Sequence, residues 1–74
     1  MTNRIQTRRA AGVTQNEVAV RARVSPMLAR AYERLDDPAA TAAVVPDPEA
    51  RGRLDAVWAE LARAAAAAEQ GAAA

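Results

Sequence analysis

Apolar residues along the chain keep a helical period, and each break between periodic stretches carries capping residues, glycine or proline. After a terminus expected to fray over Met1–Asn3, Ile5 to Ala11 reads as a short, weakly amphipathic helix, with Gly12 as its left-handed stop. Thr14 and Glu17 have the spacing of a capping box at the head of a second helix, Gln15 to Ala22, with Val13 placed as a hydrophobic staple on Val18. Ser25-Pro26 marks a third start, because proline at the first helical position gives up a hydrogen bond that would be missing anyway. That helix runs to Leu35 and sets Leu28, Ala31, Tyr32 and Leu35 on one stripe, with Ala29 beside it. Val18, Ala19, Ala22 and Val24 are expected to face the same core.

The second half repeats this punctuation. Asp36-Asp37-Pro38 ends the third helix, with Asp37 as the cap of a brief fourth helix through Ala43. Val44-Val45-Pro46 is predicted extended, since a residue before proline avoids the helical region. Asp47-Pro48-Glu49 then starts a helix to Gln70, with Gly71 as its stop. Leu54, Val57, Trp58, Leu61, Ala65 and Ala68 form its stripe, and Arg51 and Asp55 are spaced for an i,i+4 ion pair. At 1.5 Å per residue such a helix is about 34 Å long, more than a body of four short helices covers. The stripe is therefore assigned both to core packing and to pairing of protomers. The resulting organisation is all-α, with residues 1–46 as one domain and residues 47–74 as a long Ala-rich C-terminal helix.

Composition thins the core this pattern promises. The chain has 74 residues and is 51% hydrophobic, but 22 of those residues are alanine, Phe is absent, and Trp58 and Tyr32 are the only aromatics. A single small domain with so few large apolar side chains supplies only a few kcal/mol of stability. Cysteine and histidine are absent, which removes disulfides and the commonest metal ligands and leaves no nucleophile–base pair of the usual kind. No glycine-rich phosphate loop occurs, and Asp36-Asp37 is read as a capping turn rather than a metal site. A non-enzymatic protein without cofactors is expected. No apolar run is long enough for a membrane span or a signal peptide, so a cytoplasmic chain is expected.

Charge divides the chain more sharply than its net value of +1 suggests. Residues 1–34 hold seven arginines against Glu17 and Glu33, a balance of +5, while residues 35–74 balance to −4. A basic half built around two short helices and a tight turn is the electrostatic footprint of nucleic-acid contact.

The run from Gly12 to Arg34 resembles the helix–turn–helix of lambda-repressor/Cro-like (XRE-type) DNA-binding domains. The matching positions are Gly12, Val13, Thr14-Gln15, Val18-Ala19, Val24-Ser25 and Tyr32-Glu33. The resemblance implies a four- or five-helix domain that binds duplex DNA, usually as a dimer. It places the third helix in the major groove, with Pro26, Met27, Leu28 and Arg30 at base-facing positions and Arg34 beside them. Gln15 and the opening N–H groups of the second helix would hold a phosphate, Arg8, Arg9, Arg21 and Arg23 are expected to add phosphate contacts, and Thr14 and Ser25 are counted among the DNA-binding residues. The turn position where the family commonly has glycine is Arg23, which predicts a left-handed residue there.

Two functions of different class follow. The first is a small transcriptional regulator of a phage or a GC-rich bacterium. The second is a phage assembly protein that docks its Pro26-Met27-Leu28 tip and Ala-rich helix onto other subunits. The basic front half favours the first; the apolar tip and oversized last helix favour the second.

Overall fold

A computed structural model describes residues 3–35 and 37–73, the last two by backbone only. The expected frayed positions Met1 and Thr2, the Asp36 half of the acidic turn, and Ala74 lie outside the described residues. Five helices follow in order: α1 (Arg4–Ala10), α2 (Gln15–Ala22), α3 (Pro26–Glu33), α4 (Pro38–Val44) and α5 (Pro48–Ala73). No strand occurs among the described residues. The fold is all-α with a long C-terminal helix.

Local chemistry sets most of the helix starts. Thr14 Oγ1 accepts from the Glu17 N–H at 3.2 Å, and Ser25 Oγ accepts from the Leu28 N–H at 3.1 Å. Asp37 takes the Ala39 and Ala40 N–H groups at 3.4 and 3.3 Å, and Asp47 takes that of Glu49 at 3.0 Å. Each satisfies donors that a helix start leaves without an internal partner. The box at Thr14 is only half built, because the Glu17 carboxylate turns forward to Arg21 at 3.1 Å. A complete box stands instead at Asn3, expected to fray: its side chain accepts from the Gln6 N–H and Gln6 Oε1 accepts from the Asn3 N–H. Gly12 (φ +72°) and Arg23 (φ 56°, ψ 46°) both take the left-handed conformation expected of them.

α1 runs Arg4–Ala10 rather than Ile5–Ala11, and the ends of three later helices also differ from expectation. α3 stops at Glu33 rather than Leu35. Its last turn tightens through Arg34 N–H to Ala31 C=O and Leu35 N–H to Tyr32 C=O, and the Arg4 guanidinium takes up the Tyr32 and Leu35 carbonyls. α4 keeps Val44, so the non-helical connection begins at Val45 (φ −117°, ψ 80°), whose side chain enters the core. α5 runs through Gly71 to Ala73, since only alanines follow the glycine and none offers the apolar contact that accompanies a left-handed stop.

α5 packs across α1 and α2, α2 packs on α3, and α3 on α4. The core joins Val18, Ala19 and Ala22 of α2, Ala29 and Tyr32 of α3, Val45, and Ala50, Leu54, Val57, Trp58 and Leu61 of α5. The Tyr32 and Trp58 rings meet at 5.2 Å between centroids, tilted by 46°. α3 is rotated from its expected stripe. Ala29, Tyr32 and Glu33 are buried, while Leu28, Ala31 and Leu35 are only half-buried. Burial of Glu33, in place of a bulkier apolar side, turns the helix.

Polar stitches close the seams. Trp58 Nε1 donates to the Arg4 carbonyl at 3.1 Å, and Arg53 Nε to the Ala22 carbonyl at 2.7 Å. The expected Arg51–Asp55 pair does not form: Arg51 donates to the Val45 and Pro46 carbonyls, and Asp55 accepts from the Tyr32 hydroxyl. Carbonyls of a non-helical connection need donors more than an exposed ion pair needs its partner. Burial, and then the Asp55 hydrogen bond, push the Tyr32 hydroxyl well above its ordinary pKa of 10.0.

The stripe assigned to protomer pairing is corrected by the same packing. Leu54, Val57, Trp58 and Leu61 are buried within their own chain, Ala65 is half-buried and Ala68 is exposed. The body is 42 × 24 × 16 Å, and α5, about 39 Å long at 1.5 Å per residue, matches its longest dimension. Past Leu61 nearly every described side chain is exposed. Among the described residues no helix is long and apolar enough to cross a membrane.

Candidate nucleic-acid interface

The candidate site is built on one buried carboxylate. Glu33, 2% exposed at the end of α3, accepts from Arg8 Nε of α1 at 2.9 Å and from Gln15 Nε2 of α2 at 3.1 Å. A second Arg8 nitrogen donates to the Val13 carbonyl at 2.9 Å. Three helices and the loop between α1 and α2 are thereby held at one point, with the buried charge paired as burial requires.

This changes the roles assigned to two residues. Arg8 was expected to contact backbone phosphate, but its side chain is only 13% exposed and its donors face inward. Gln15 likewise directs its amide N–H to Glu33. Both nevertheless rim a shallow polar recess with Thr14, Asn16 and Arg30, which brings the head of α2 next to the outer face of α3. Asn16 had no signal in the sequence beyond its place at a helix start. Glu33 had one, as half of the aromatic-Glu pair, but the pair marks a position and not the partners.

The remaining expected residues are exposed. Arg9, Arg21, Arg23, Arg30 and Arg34 reach the surface, as do Thr14, Ser25, Pro26 and Met27. Arg21 is engaged by Glu17, and the hydroxyls of Thr14 and Ser25 act as helix caps. Arg9, Arg23, Arg30 and Arg34 make no ion pair among the described residues. Since Glu33 is buried and neutralised by Arg8, the only exposed acid of residues 3–34 is Glu17. Because the pair removes one charge of each sign, the balance of this half stays at +5, with Glu17 as its one exposed acid among the described residues.

On α3 the exposed residues Met27 and Arg30 stand at i and i+3, and the cap residue Arg34 just past the helix end continues their row at i+7, on the side away from buried Ala29, Tyr32 and Glu33. Its outer face therefore carries a soft apolar residue in the first turn and guanidinium groups after it. Guanidinium groups on such a face are donors suited to anionic or carbonyl acceptors. Among the described residues, no three His, Cys, Asp or Glu side chains come together as metal ligands. No family model, curated protein or solved structure matches the chain.

Proposed function

We propose that the chain is a small helix–turn–helix DNA-binding protein that holds duplex DNA with α3 in the major groove and acts as a transcriptional regulator. The observation that carries this reading is the surface of the α2–turn–α3 unit. It exposes Arg23, Arg30 and Arg34, and α1 beside it adds Arg9, all free of ion pairs among the described residues, while the one buried acid of that half is neutralised internally. Phosphate contacts from these arginines and the head of α2 supply most of the affinity, and α3 supplies what selectivity there is. The Gly12–Arg34 resemblance to lambda-repressor/Cro-like domains supports the same reading. Pairing of protomers belongs to it as well, through the exposed end of α5.

Binding of a mixed-sequence duplex is measured by fluorescence anisotropy at 50 and 200 mM salt. With about four phosphate contacts the affinity should fall about a hundredfold between the two. Arg30→Ala should weaken binding and flatten the salt slope. Absence of binding at 50 mM salt refutes the reading. Sedimentation of the full chain beside one ending at Leu61 tests pairing, which fails if the two have the same oligomeric state.

One observation favours a second reading, a phage assembly role. Val20 and Met27, on the two helices of the helix–turn–helix, are 77% and 80% exposed and offer apolar side chains to a protein partner. Under that reading duplex DNA is not bound at either salt concentration.

A further inference from the structure

The outer face of α3 is poor in the side chains that read most bases. Asn and Gln, which pair with adenine, and Asp and Glu, which accept from cytosine, are absent from it. It carries Pro26 and Met27 in the first turn and Arg30 one turn on. The first residues of a recognition helix are those that approach base edges. In the major groove the chemistry open to an exposed methionine is contact with a pyrimidine C5-methyl, and the chemistry open to arginine is the O6/N7 edge of guanine.

We infer that α3 selects a methyl-bearing pyrimidine beside a guanine, Met27 touching the C5-methyl and Arg30 the guanine edge. This rests on the duplex-binding reading above and adds the bases. The geometry limits the arrangement. Side chains at i and i+3 on a helix have Cβ atoms about 5–6 Å apart, less than two base-pair rises of about 3.4 Å. Methyl and guanine therefore fall on the same or neighbouring base pairs, as in a TG step. Thymine and 5-methylcytosine present the same methyl at the same place, so a methylated CG step meets the same face.

Met27 makes no contact the fold depends on, being 80% exposed on the solvent side of α3, so it can be changed without unfolding the domain. Pro26 fixes the first helical residue and holds Met27 at the tip.

Selection from randomised duplexes at 50 mM salt first identifies the preferred site, which should contain a TG step. Four versions of that site are then compared: thymine, deoxyuridine, 5-methylcytosine and cytosine before the guanine, with the opposite strand matched. Each methyl should strengthen binding about fourfold, so thymine exceeds deoxyuridine and 5-methylcytosine exceeds cytosine. Met27→Ala should erase both differences, Met27→Gln should move the preference toward adenine, and Arg30→Ala should lower discrimination for the guanine about tenfold or more. Salt-dependent binding that ignores the methyl, or a methyl preference that survives Met27→Ala, overturns the inference and leaves duplex binding standing. A preference for thymine alone confines it to thymine. Failure to bind any duplex overturns the duplex reading, and this inference with it.

Discussion

Glu33→Ala is the most informative single change to the fold. It removes the carboxylate that joins α1, α2 and α3 and leaves the Arg8 guanidinium, 13% exposed, with only the Val13 carbonyl as partner. Breaking a buried pair from one side costs about 3–5 kcal/mol, and the lower end applies here because Arg8 keeps some contact with water. About 3 kcal/mol is most of the stability of a domain this small. In urea, with a slope near 1 kcal/mol per molar, the midpoint should fall by about 3 M, leaving much of the variant unfolded without denaturant. Trp58, the sole tryptophan, is buried 5.2 Å from the Tyr32 ring and reports the transition by fluorescence. Glu33→Gln keeps the shape and an acceptor and should lose only about 1–2 kcal/mol. The paired change Arg8→Met with Glu33→Leu, which replaces both charges by apolar groups, should recover most of the loss. A Glu33→Ala variant within about 0.5 kcal/mol of the wild type would refute the reasoning. So would a paired change no better than the sum of its single changes.

Two further predictions concern single positions. Tyr32 titrates near 10.0 when unfolded and higher when folded, so above pH 10 the unfolded chain binds fewer protons and stability falls as pH rises. Unfolding free energies from urea titrations at pH 9 and pH 11 should differ by at most about 1.4 kcal/mol per pH unit above 10, and Tyr32→Phe should remove that difference while lowering stability at both. Arg23 holds a left-handed backbone with a Cβ, so Arg23→Gly should raise the thermal midpoint by several degrees, equivalent to about 1 kcal/mol. The same change should weaken duplex binding by one phosphate contact. An unchanged midpoint would show that the left-handed turn carries no strain.

Much of the architecture is legible along the chain because its signals act within one helical turn. The caps at Thr14, Ser25, Asp37 and Asp47 lie two or three residues from the N–H groups they satisfy. Gly12 and Arg23 mark the two left-handed residues, and the Leu54–Leu61 stripe marks the buried face of α5. Asn3 and Gln6 were equally local, but too few apolar residues follow them to signal a helix worth capping.

The candidate surface was legible as a list of arginines and not as an arrangement. Arg8 and Arg9 are adjacent and chemically identical, yet one anchors the core and the other faces solvent. The difference comes from Glu33, 25 residues from Arg8 and 18 from Gln15. Arg4 and Asp55 were likewise claimed by the Tyr32 and Leu35 carbonyls and by the Tyr32 hydroxyl. Sequence alone determined where helices begin, which way they bury most of their faces, and that one half is basic, since capping, periodicity and charge are local or additive properties. Tertiary structure alone decided which charges are consumed inside and which remain to meet a ligand. A buried carboxylate or an end-of-helix carbonyl takes the nearest donor in space, and spacing along the chain does not say which donor that is.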